Sequence, residues 1–151
     1  MTASSEGTSK RVRVAAMLLI VGLAAPAGEH LYWLLGGSWA LHGSADEPTT
    51  STRAVSAVVI VLLVAAAFVV LARVGLWQQA FVSDRVIRVS TWALAAVFVG
   101  ETLANFTYSR EYEWWMYGPV ALVIALLALV VAGSGGAWPR LHRLHPTLPS
   151  H

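Results

Sequence analysis

Four stretches of this chain are almost continuously apolar, and short polar connectors separate them. They run from about Val14 to Leu35, Ala54 to Ala72, Val86 to Phe106 and Trp114 to Gly133. Each offers about the 20 predominantly apolar residues that a helix needs to cross a bilayer. The predicted fold is all-α, a four-helix transmembrane bundle occupying residues 14–133. The polar opening "MTASSEGTSKRVR" (1–13) reads as a disordered tail. The Gly-, Pro- and His-rich end (134–151) reads as a flexible one.

Lys and Arg near the span ends set the expected direction. Lys10, Arg11 and Arg13 precede the first span, Arg73, Arg85 and Arg88 flank the second connector, and Arg140 and Arg143 follow the fourth. Only Arg53 and Arg110 fall on the other side. The basic side is therefore expected to be cytoplasmic, with both termini inside. Asp46, Glu47, Glu111 and Glu113 lie in the outer connectors, and Trp39, Tyr112, Trp114 and Trp115 sit where an outer aromatic belt belongs.

Composition strengthens this picture. Of 151 residues, 57% are hydrophobic and 12% charged, against about 25% charged in soluble domains. The expected location is a bacterial inner membrane, crossed several times, with the lipid bilayer as the main partner. No basic stripe carries interleaved aromatics, so nucleic acid is not an expected partner. The absence of cysteine excludes disulfides and thiolate chemistry. A competing reading takes "SKRVRV", the following apolar run and "APA" as a secretory signal cleaved after Ala27. The apolar character resumes in "LYWLL", which favours a retained first span.

Ionisable groups inside a membrane are costly and mark candidate sites. Glu29 and Glu101 each lie fifteen residues after the start of a span that begins on the basic side. At 1.5 Å rise per residue, both sit roughly 22 Å up, in the outer half of the hydrocarbon. Tyr117, three residues into the oppositely directed fourth span, falls near the same layer. His30 and Trp33 adjoin Glu29, and Asn105 lies four residues beyond Glu101 on its helical face. The candidate ligand-binding set is Glu29, His30, Trp33, Glu101, Asn105 and Tyr117, a polar cluster opening outward. Pro26 and Gly118-Pro119 weaken two helices at this level. Each of these residues also has a plainer reading as a packing, belt or snorkelling group.

No reaction is identified. There is no phosphate-binding loop, dinucleotide fingerprint, zinc-protease motif or nucleophile elbow. With His30 alone inside a span, the two facing imidazoles of a haem site are not supplied. The tail histidines His142, His145 and His151 have no closed metal-site spacing. No cofactor or metal is expected. Three functions compete: a pocket for a lipid-like or apolar small molecule, a structural or accessory membrane protein without a ligand, and a small proton-coupled exporter. The last is weakened by the fixed charge bias.

At "EHLYWLLGGSWAL" and "WMYGPVALVIALLALV" the chain resembles a bacterial family of small four-span membrane proteins, classed as a domain of unknown function. His30, Tyr32, Trp33, Gly36 and Gly37 carry a His-x-Tyr-Trp-x-x-Gly-Gly pattern, and Tyr117 and Pro119 a Tyr-x-Pro start to the last helix. The resemblance covers roughly Val14 to Val131. It implies a four-helix bundle with a retained first helix, and no activity.

Overall fold

The computed structural model describes residues 3–38, 48–77, 82–108 and 111–134, with backbone alone at 3–9, 108 and 111–116. Outside it fall Trp39, Asp46, Glu47, Arg110, the expected tail beyond residue 134 and the side chains of Glu111, Tyr112, Glu113, Trp114 and Trp115. Four helices follow in order: α1 (Ala3–Leu34), α2 (Thr50–Arg73), α3 (Asp84–Tyr108) and α4 (Glu111–Gly133). Consecutive helices pack on one another, and α4 packs back on α1. The bundle is thereby closed into a ring of four.

Three segments are long and apolar enough to cross a membrane: Lys10–Leu34, Thr50–Arg73 and Asp84–Thr107. In α4 the described apolar stretch is Tyr117–Gly133, within a helix of 23 residues. At 1.5 Å per residue that helix is about 34 Å long, enough to traverse a core of about 30 Å. The protein is a membrane-type four-helix bundle. Its outer surface is correspondingly apolar, with Val21, Val61, Leu62, Leu103 and Leu126 all exposed.

The first helix begins earlier than the polarity of its sequence suggests. Residues 3–13, expected to be a disordered tail, continue α1. Once the apolar run has formed a helix, extending it needs no new nucleus, and no proline interrupts the polar turns. The helix also continues through Pro26.

Lipid gives apolar side chains no reason to leave it for one another, so small residues that permit close packing decide the seam. Ala121, Ala125, Ala128 and Ala132 form a buried stripe on α4, beside Ile124 and Val131. All but Ala121 share one core with Ala15, Ala16, Leu19 and Leu23 of α1 and Ala95 and Phe98 of α3. A Cβ on Gly22 would stand 3.1 Å from Ile124, a measure of how closely α1 and α4 approach. Thr91 and Thr102, buried on α3, satisfy their hydroxyls on their own helix, at Ile87 O (2.6 Å) and Phe98 O (2.7 Å). At the basic end, Arg73 Nη2 donates across the bundle to Ala132 O (3.1 Å) and Ser134 O. A cation there complements the negative end of the α4 dipole.

The Gly-Gly pair ends α1 in a defined way. Gly36 N donates to Trp33 O (3.1 Å) and Gly37 N to Tyr32 O (2.9 Å), with Gly36 at φ 102°. This is a Schellman cap, whose left-handed residue favours glycine. A Cβ on Gly37 would overlap the Tyr32 ring. Gly75 (φ 73°) ends α2 with the same hydrogen-bond pattern. Gly36→Ala is expected to lower stability by about 1–2 kcal/mol, read as an earlier unfolding transition in detergent. Gly133→Ala, with no atom near its Cβ position, serves as the control.

Candidate functional site

Near its C-terminal end α1 presents polar groups to two different partners. Glu29 turns toward α4, where the Tyr117 hydroxyl donates to its Oε1 at 2.5 Å. This lies in the range of hydroxyl–carboxylate hydrogen bonds. His30, one residue on, turns toward α2. Its Nδ1 is 3.2 Å from Ser56 Oγ. The Trp33 ring lies edge-on to the imidazole, with centroids 4.9 Å apart. Ser56 is almost wholly buried, and His30 is half-buried.

A cavity of about 290 Å³ opens between these two helices. His30 and Trp33 form its α1 wall, and Ser51, Thr52, Val55 and Ser56 its α2 wall. The α2 wall is shaped by the start of that helix. Thr49 is the N-cap, its hydroxyl accepting from Thr52 N at 3.2 Å. The same hydroxyl lies 2.8 Å from Ser51 Oγ and 2.9 Å from Thr52 Oγ1. A side-chain oxygen at this position satisfies a helix N–H that has no partner within the helix.

The six candidates read from sequence are thus distributed over three places. His30 and Trp33 line the cavity. Glu29 and Tyr117 pair with each other at the α1–α4 contact. Glu101 is exposed on α3, and Asn105 is half-buried one turn further along. Ser51, Thr52, Val55 and Ser56 were not among the candidates. The depth reading that singled out carboxylates would have found Ser56 had it been applied to hydroxyls, since Ser56 begins the apolar part of α2 at the same end of the bundle. Among the described residues, no group of three or more His, Cys, Asp or Glu side chains is placed to hold a metal.

The family described as "Protein of unknown function (DUF3995)" matches residues 23–128, well over half of the chain. The chain belongs to this family. The matched region of this DUF3995 protein holds the cavity and the Glu29–Tyr117 pair alike. It also holds the residues of the resemblance, which form connected local structure: His30 and Trp33 wall the cavity, while Tyr32, Gly36 and Gly37 build the helix cap beyond it. No curated protein and no solved structure matches the chain.

A double-mutant cycle on Glu29→Gln and Tyr117→Phe tests the α1–α4 bond. Each single change is expected to destabilise the bundle. The double change should lose less than the two together, leaving a coupling of about 0.6–1.7 kcal/mol. Strict additivity would show that the two groups do not act as a pair.

Proposed function

We propose that this DUF3995 protein is a multi-pass inner-membrane protein that binds a small amphiphilic molecule in the outer-half cavity between α1 and α2. The cavity is the observation that carries the reading. It is a depression between α1 and α2, open to the outside of the bundle, has an imidazole, three hydroxyls, an indole and a valine on its walls, and is close to the lower size limit of ligand pockets, about 300 Å³. Ordinary helix packing accounts for Glu29 and Tyr117, which satisfy each other. It leaves the space beside His30 unfilled.

Native mass spectrometry on protein extracted from its own membrane tests this. The wild type should carry a discrete adduct that survives removal of loosely held lipid. Ser51→Trp, at an exposed wall position, should lose the adduct while keeping its melting temperature. A wild type with no retained adduct, or an adduct indifferent to Ser51→Trp, would remove the pocket reading and favour a structural role for the polar layer.

The Glu29–Tyr117 bond also supports an accessory reading, in which the outer polar groups hold helices in register. The orientation proposed for either role places both termini on the cytoplasmic side, on the strength of the Lys and Arg bias. The cysteine-free chain makes this direct to check. Thr50→Cys should react with a membrane-impermeant maleimide applied outside intact cells, and Ser83→Cys should react only after permeabilisation.

A further inference from the structure

The cavity walls carry more information than their existence. None of the six lining residues is a carboxylate, a lysine or an arginine. The nearest cation in sequence, Arg53, is not a lining residue. Its guanidinium instead lies over the α1 cap, where a Cβ on Gly36 would be 3.5 Å from Nη2. The start of α2, a ready anion-binding end in many helices, is already occupied by the Thr49 side chain.

Hydrogen counting narrows the occupant. The Thr49 oxygen has two lone pairs, and Thr52 N–H takes one. It therefore accepts from only one of the Ser51 and Thr52 hydroxyls and donates its own proton to the other. The hydroxyl that donates to Thr49 keeps both lone pairs for the cavity. The one that accepts keeps one lone pair and its proton. Ser51 and Thr52 thus offer mostly acceptors with one donor, and the His30–Ser56 pair leaves one more donor in either tautomer. His30 uses Nδ1 on Ser56, so its other ring nitrogen is donor or acceptor according to tautomer. A ligand hydroxyl, being both donor and acceptor, answers every one of these groups. A phosphate answers only the donors, leaves the free lone pairs unanswered, and meets no lysine or arginine to balance its charge.

Size sets the second limit. A volume of about 290 Å³ lies at about the lower limit of ligand pockets. That suits a small head and excludes a whole lipid. Val55 lines the cavity, and Val58 and Leu62 continue the same helix face at the three- and four-residue spacing, all exposed. An acyl chain leaving the cavity meets this face directly.

We infer that the cavity takes the uncharged, hydroxyl-bearing head of a single-chain amphiphile, of the monoacylglycerol type, with the chain laid along Val55, Val58 and Leu62. The inference rests on the cavity being a binding site, as proposed above. Two photoactivatable probes with identical diazirine-bearing chains separate the cases, one a monoacylglycerol and the other a lysophosphatidate. Full-length protein in phosphatidylcholine nanodiscs is cross-linked, and the Ala54–Arg73 tryptic peptide is analysed. Saturable labelling by the monoacylglycerol, competed by unlabelled monoacylglycerol, is the expected result. The Ser51→Ala/Thr52→Val variant keeps the Thr49 cap and should weaken labelling by about fivefold or more, with unchanged melting. Arg53→Gln, read on the longer Val14–Arg73 peptide that trypsin then yields, should leave labelling intact. Saturable labelling by lysophosphatidate alone, or dependence on Arg53, overturns the neutral-head inference and leaves the cavity as a binding site. Absence of saturable labelling by both probes overturns the two together.

Discussion

Two adjacent side chains on a helix point about 100° apart, so a helix between two neighbours can send one polar group to each. Glu29 and His30 are adjacent, and α1 packs against both α2 and α4. The outer polar layer is therefore split at its source. The carboxylate is committed to Tyr117 of α4, and the imidazole to Ser56 of α2. Each half is satisfied by a group from a different helix, as an environment without water demands. α1 becomes the element on which both polar contacts depend. The cavity exists on the α2 side because Trp33 and His30 hold that wall open while the α2 hydroxyls turn partly toward their own cap.

Much of the architecture could be read without coordinates. Hydropathy located all four helices to within a few residues, except at the start of α1. There, polar composition was mistaken for disorder, although residues 3–13 extend an existing helix. Depth along the spans drew attention to Glu29, His30 and Tyr117, because rise per residue is constant whatever the packing. Rotation about the helix axis is not constrained in that way. Which face of α3 meets its neighbours is set by the buried run Ile87, Thr91, Ala95, Phe98 and Thr102, and Glu101 falls outside it.

The alanines tell the same story from the packing side. On α2 and α3 the alanines divide: Ala65, Ala93 and Ala96 are exposed, Ala66 and Ala67 pack half-buried against the core and Ala95 lies in it, while the dense seam follows Ala125, Ala128 and Ala132 of α4. In a helix that is apolar all round, periodicity of hydrophobicity is weak, so composition does not show which stripe is inside. The hydroxyls of α2 were hidden for a related reason. Serine and threonine at a helix start read as capping residues, and Thr49 does cap. Only the fold shows that its neighbours also face a space.

The second helix is the most weakly embedded of the three clear spans. Only 11% of its most apolar window is buried, against 22% in the first and 28% in the third. Its buried residues are Ser56 near one end and Val70 and Ala72 near the other. Between them Leu63, Ala66 and Ala67 pack half-buried against the core, so its contact with the bundle is shallow along its whole length. Lateral membrane tension would act first on this shallowly seated helix, and the cavity, one wall of which is α2, would change shape with it.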